Sequence, residues 1–407
     1  MAFSYDLSVF STLRETYPTW ESFRAYMESE EGGGFRIVEE HPSGLCLLRY
    51  EKGSSSMALS HAPWCRSILW DRTTHLPVSI APPKACGEAI PYATMGDAME
   101  AVCQEMIDGW MIQAFRRAGD PTLYLASRSH LHATGTFYSP RSFRELFLES
   151  YLGTSGTAVQ SMEETLQADP FFEAPCVEKG EMAVFYSFLV QHKDHRVVSP
   201  IKENRALLIH KGVVYTTGQV KIVDDPLSVM GLPQMACVDP ATPFASCNTT
   251  HIGALSWENQ GIVWKDRAGR RWRYRSPAYE LVRSLRGNHA SAVDRYAQLY
   301  TQNLTHMYLQ YFFEDSVPFS FFRALLQRIS KEIFQAYLDV HVYRNTTRDK
   351  VLALYHPHLY QLHHIYRTQL RPTDGRMNSV TLQKYLYSLP WQRISFLLRQ
   401  HPLWNSQ

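Results

Sequence analysis

The chain has 407 residues, 45% of them hydrophobic and 13% aromatic, which excludes a disordered polypeptide and leaves room for two domains. A formal net charge of +2 selects no class of partner by itself. No run approaches the ~18 apolar residues of a membrane span, and the start Met1-Ala2-Phe3-Ser4-Tyr5-Asp6 lacks a basic region followed by an apolar core. Neither a membrane segment nor a secretion signal is expected. Seven cysteines, none in a Cys-x-x-Cys pair, predict reduced thiols without disulfides and a cytosolic or nuclear protein.

Phe10, Leu13, Tyr17, Trp20 and Tyr26 recur at roughly helical spacing, so residues 1–45 are expected to be helical. Between 45 and 85 the pattern alternates, which predicts a short meander turning at Lys52-Gly53 and near Thr73-Thr74. Strands are predicted over 110–115 and 123–128, and a helix over 143–151. Further strands are expected at 182–188, 196–199, 206–209 and 213–217. A hairpin should join 262–264 to 272–274 across Ala268-Gly269. From Ala278 the period is helical, with Pro318, Pro357, Pro372 and Pro390 as breaks. The pattern predicts an α+β domain over residues 1–280 and an all-α domain over 281–407. Residues 263–407 carry 21 Lys and Arg against 9 Asp and Glu, a mild pointer to an anionic partner on that side.

Several segments combine polar and glycine residues in ways that matter chemically. The first is Cys65-Arg66-Ser67-Ile68-Leu69-Trp70-Asp71, followed by Ala81-Pro82-Pro83-Lys84. Two cations there would flank a polyphosphate with charge-assisted hydrogen bonds. Next come Met106-Ile107-Asp108-Gly109 and Ser127-Arg128-Ser129. Glycine at 109 would let a nucleotide approach the backbone closely. Then follow 185–198, with Leu189 and Arg196, the segment Asn259-Gln260-Gly261-Ile262-Val263, and Arg271-Trp272-Arg273-Tyr274-Arg275. His358-Leu359-Tyr360-Gln361-Leu362-His363-His364 and Tyr385-Leu386-Tyr387 close the series. His363 and His364 are neighbours on a helix, about 100° apart, and do not converge on a metal.

In order and spacing, from about residue 45 to 400, these segments resemble the T4 RNA ligase 1 family, particularly the versions found in large DNA viruses. The resemblance implies a nucleotidyltransferase domain of antiparallel sheets, the ATP-grasp-like RNA ligase fold, followed by an all-α C-terminal domain. It implies nucleotide or phosphate contacts at Arg66, Lys84, Asp108, Gly109, Arg128, Arg196, Arg273 and Arg275. It also implies a host cytoplasm or nucleus, or a virion, as the location.

The same resemblance marks what has been lost. Met106 stands where the family has the lysine that takes AMP from ATP, and a thioether has no amine to attack a phosphate. Leu189 and Gln260 stand at acidic positions, and Gln260 is a weaker ligand for Mg²⁺ than a carboxylate. Arg273 and Arg275 replace two lysines. No catalytic set is intact and no metal site is expected, so ATP and Mg²⁺ enter only if the ancestral site persists. Cys103 reads as a buried structural cysteine rather than a substitute nucleophile. The expectation is a catalytically inactive RNA-ligase-like protein that binds RNA or nucleotide. The interleaved Arg267, Arg270, Arg271, Trp272, Arg273, Tyr274 and Arg275 suit phosphate contacts and base stacking. Two other readings stay open: an interaction protein of a virion or complex, with a protein partner, and a residual ATP-dependent RNA ligase.

Overall fold

The computed structural model describes residues 3–85, 102–224, 255–266 and 268–405. The chain divides into two units, Met1–Leu281 and Val282–Gln407. The first mixes α and β structure with antiparallel sheets, and the second is helical. Among the described residues no helix is long and apolar enough to cross a membrane. Cys46, Cys65 and Cys176 are free thiols; Cys86, Cys237, Cys247 and Arg267 lie outside the described residues.

The first unit begins with β1 (Phe3–Leu7), α1 (Val9–Thr16) and α2 (Trp20–Glu28), then β2 (Arg36–Glu40) and β3 (Leu45–Arg49). Next come β4 (Ile68–Asp71), β5 (Leu76–Ile80), β6 (Val102–Glu105), β7 (Trp110–Arg117) and β8 (Asp120–Ser127). Helices α3 (Phe143–Leu152) and α4 (Val159–Gln167) precede β9 (Glu181–Gln191), β10 (Arg205–Tyr215), β11 (Val220–Asp224), β12 (Gly261–Lys265) and β13 (Arg271–Arg275). Three sheets result, in the orders β1-β11-β10-β9-β7-β8, β2-β3-β4-β5 and β13-β12-β6.

Period-2 alternation gives the six-stranded sheet two different faces. Val184, Tyr186, Phe188 and Val190 of β9 join Ile112 and Ala114 of β7 under α3 and α4. Ala183 and Phe185 point the other way, into a core with Phe10, Phe23, Leu48, Trp70 and Ile80. Helix α3 is fixed at both ends: Ser142 and Glu145 form a capping box, and Gly153 closes it at φ 67°.

Residues 1–45 are not wholly helical. Strand β1 opens the chain and pairs with β11, Tyr5 opposite Ile222, and β2 follows the two helices. The partner of β1 lies more than 200 residues away, where local periodicity cannot register it, whereas β2 pairs with the nearby β3. Where two strands were expected, at 206–209 and 213–217, the chain forms one, β10 over 205–215, with a bulge between Leu208 and His210. Residues 196–199 form no strand, because the Val198 and Ser199 amides donate to the Asp108 side chain at 2.8 and 2.9 Å.

Asp224, at the end of β11, ties two sheets together. It accepts from Lys265 Nζ of β12 and from Arg271 of β13, both at 2.7 Å, and is 1% exposed. Burial alone would raise its carboxyl, but Arg271 and Lys265 outweigh that and hold it well below the usual carboxylate range.

In the second unit, α5 (Pro277–Arg286), which starts before the boundary, leads into α6 (Ala292–Thr301), α7 (Thr305–Tyr311) and the long α8 (Ser316–Tyr337). Then come α9 (His356–Ile365), α10 (Ser379–Ser388) and α11 (Trp391–Gln400). Phe322, Leu325, Ile329 and Ile333 form the buried stripe of α8. Pro318 does not break the chain: it lies in the first turn of α8, where an amide proton has no intrahelical partner to miss. Arg286, Arg295 and the Tyr308 hydroxyl all donate to one oxygen of Asp315.

Asp224→Asn removes the carboxylate that Lys265 and Arg271 share, and should lower unfolding free energy by about 3–5 kcal/mol in urea titration. The lowered carboxyl sets the sign with pH. Its contribution is fully present above the ordinary carboxylate range and is lost as pH falls through the depressed value. The Asn variant should therefore lose less stability than the parent on acidification.

Candidate functional site

Strand β7 reads Trp110-Met111-Ile112-Gln113-Ala114-Phe115, and one member is out of character. Gln113 is 2% exposed on the face away from α3 and α4. Its Oε1 accepts from Ser79 Oγ at 2.8 Å, and its Nε2 donates to Ser67 Oγ at 2.9 Å. This polar crosslink between β7 and the four-stranded sheet forms part of a pocket of about 360 Å³. Arg66, Gly109, Gln113, Arg128 and Phe143 are among its lining residues, and among the described residues no acidic one lines it.

Arg66 precedes β4 and Arg128 follows β8, so two strand ends bring the guanidinium groups to one cavity. Neither makes a hydrogen bond or ion pair with a carboxylate among the described residues. Burial first, and Arg128 second, push the Arg66 pKa down to about 10. Arg128 and Lys84 lie over the Tyr50 ring, at 4.9 and 4.8 Å from its centroid. Arg49 donates to Ser129 Oγ at 2.8 Å, and its pKa is lowered by burial and by Arg128. Arg271 and Arg273 also act on Arg66 in the same sense. Arg66 and Arg128 thus stand in a partly dry place without a carboxylate partner among the described residues, an arrangement that an anion would relieve.

The turn at 106–109 joins β6 to β7 beside this pocket. The Met106 amide donates to the Gly261 carbonyl at 2.9 Å, extending the β6–β12 pairing and placing Met106 next to Gln260 in space. The Asp108 carboxylate accepts from the Val198 and Ser199 amides and from the Tyr279 hydroxyl, the last at 2.8 Å. Its role is to hold three chain segments, and a ligand would have to displace one of them. Gly109 lines the pocket, but its missing side chain serves the fold. A Cβ there would stand 2.5 Å from the Val190 carbonyl oxygen and 3.2 Å from Leu189. Leu189 in turn packs with Leu207 and Ile209, and with Ile107 and Met111, as an apolar patch.

The arginine-rich hairpin differs from the expectation drawn from its sequence. Arg270 pairs with Asp266, Arg271 with Asp224, and Arg275 with Glu280 at 2.7 Å. Trp272 is 4% exposed and cannot present a face to a base. Arg273 lies between them on β13, half-buried. Arg196 donates to the Val198 carbonyl at 2.8 Å and lies over the Trp257 ring at 5.6 Å. Of the eight arginine, lysine, aspartate and glycine positions singled out in the sequence, Arg66, Gly109 and Arg128 line one pocket and Lys84 adjoins it through Tyr50. Asp108, Arg196 and Arg275 are held by protein partners.

A bound divalent cation does not fit this turn. Leu189 sits in an apolar patch, and the Asp108 oxygens are occupied by three donors. Among the described residues no three His, Cys, Asp or Glu side chains are grouped to hold a metal. Arg66 and Arg128 supply positive charge of the kind an anionic group would need. Tyr50 and Gln113 escaped the motif reading, and Ser67, although it lies in one of the segments, was given no role there; the lone glutamine in an apolar strand was a local signal that pointed to this site. Neither a protein-family model nor a curated protein matches the chain.

Gly109→Ala should destabilise the protein by about 1–3 kcal/mol, because the methyl meets a backbone carbonyl that cannot rotate away. Chemical denaturation measures this, and an unchanged midpoint would show that the β7–β9 register can widen there.

Proposed function

We propose that the unit Met1–Leu281 is an RNA-ligase-like nucleotidyltransferase module that binds a nucleotide or RNA phosphate and forms no covalent adenylate. The observation that carries the reading is the pocket at Arg66 and Arg128. It holds two guanidinium groups, one with its pKa pushed down to about 10, and no lining carboxylate. The pocket volume of about 360 Å³ suits a group of nucleoside monophosphate size, with Phe137, Phe143 and Trp110 as apolar surface for a base.

The missing chemistry supports the second half of the reading. Met106 offers no nucleophilic nitrogen, and the neighbouring Leu189 belongs to an apolar patch. A lysine placed at 106 alone would still find no carboxylate cluster among the described residues to hold metal. The ordered segments from Arg66 to Arg275 supply the family resemblance on which the RNA part of the proposal rests.

A nucleotide at a hundred times its dissociation constant stabilises a protein by about 2.7 kcal/mol. ATP or AMP should therefore raise the melting temperature by a few degrees at low salt. Arg66→Met should abolish the rise while leaving the unliganded melting temperature equal or higher, since it removes a half-buried cation with no carboxylate partner among the described residues. Incubation with α-labelled ATP should leave no label on the chain, and Met106→Lys should not change that. Retained label on the unmodified chain, or no response to any nucleotide or RNA at low salt, would overturn the proposal. Binding to a labelled oligouridine should weaken steeply as salt is added.

A further inference from the structure

The helical unit contains a second, larger groove of about 970 Å³. Helices α6, α7, α8 and α10 contribute to its lining, and among the described residues no acidic one does. Ser320, Arg323, Gln327 and Lys331 recur every three or four residues along α8, so one face of that helix supplies a polar stripe. Arg323 and Lys331 are exposed. Among the described residues neither makes a hydrogen bond or ion pair, although α8 has carboxylate partners elsewhere, as at Arg328 and Glu332. The opposite wall is aromatic. Tyr300 stacks on Tyr387 with centroids 4.6 Å apart, and the Tyr300 hydroxyl accepts from Gln383 at 2.7 Å, so α6 and α10 fix the rings.

We propose that this groove takes an acidic amphipathic helix of a protein partner. Two carboxylates of that helix would meet Arg323 and Lys331, and aliphatic side chains between them would pack on Tyr300 and Tyr387. The spacing follows from helix geometry. Eight residues of α8 span about 12 Å, which matches carboxylates seven or eight residues apart on the bound helix. Charge complementarity selects an acidic occupant. The lining favours a protein over a nucleic acid: Tyr387, 38% exposed, presents tyrosine surface in the groove, and Met307 and Val380, exposed at 40% and 60%, lie on the same helices as lining residues. Exposed apolar and tyrosine surface around a pocket is the composition of a protein-binding site. Two cations are few for a polyanion that neutralises charge along its whole length. This site is separate from the nucleotide pocket, and the inference does not depend on that reading.

The test selects a phage-displayed library of 16-residue peptides on the full chain and, in parallel, on Arg323→Glu/Lys331→Glu. Peptides enriched on the parent alone should carry carboxylates seven or eight residues apart with aliphatic residues between. A fluorescein-labelled copy of the leading peptide should lose about tenfold or more in affinity on the double variant. It should regain binding to that variant when its two carboxylates are changed to lysine. Should charge reversal lower the melting temperature, Arg323→Gln/Lys331→Gln carries the comparison. Enrichment indifferent to the charge reversal, or none at all, overturns the proposal. So does a twelve-nucleotide oligouridine that binds the parent and is lost on the double variant, which would make the groove a nucleic-acid site.

Discussion

The carboxylate of Asp108 is the junction on which the first unit's pocket depends. It is buried, yet its oxygens accept from two consecutive backbone amides and a tyrosine hydroxyl. A buried carboxylate without such donors would be strongly destabilising. With them it fixes three segments that share no local sequence: the turn into β7, the loop at 196–199, and Tyr279 on α5. Gln191 adds a fourth tie by donating to the Asp108 carbonyl at 2.8 Å. Gly109 can then lie against the Val190 carbonyl, and β7 can enter the sheet in the register that places Gln113 on the pocket side.

Once that register is set, the distribution of charge follows from which cations find carboxylates. Arg271 shares Asp224 with Lys265, Arg270 has Asp266, and Arg275 has Glu280. These arginines join strands and turns. Arg66 and Arg128 meet other cations and the Tyr50 ring instead. The difference lies in geometry, not in residue type. A strand end that faces a sheet edge finds an acid, and one that faces a cavity does not.

Some of the fold was legible because the signal was local. Alternation marked the meander of β3 to β5, and Ala268-Gly269 marked the turn of the β12–β13 hairpin, where Gly269 adopts φ 77°. The sustained helical period after Ala278 marked the helical region. The errors share a cause. Strand β1 needs β11 as its partner, and residues 196–199 are shaped by a side chain some 90 positions away. Trp272 looked like a stacking ring beside arginines, but its strand pairs with β12 and the ring is buried.

The sequence by itself determined the helix and strand periods, the run of helices after Ala278, and the absence of a nucleophilic amine at 106. These are properties of single residues or of spacing along one element, and they need no knowledge of distant contacts. Only the tertiary structure decided which cations are neutralised and which line a pocket, and that the carboxylate at 108 serves the fold. Burial and ion pairing depend on what lies across the interior. A guanidinium a few ångströms from a carboxylate and one facing a cavity read identically in the sequence, but solvation and charge separate them in the folded chain.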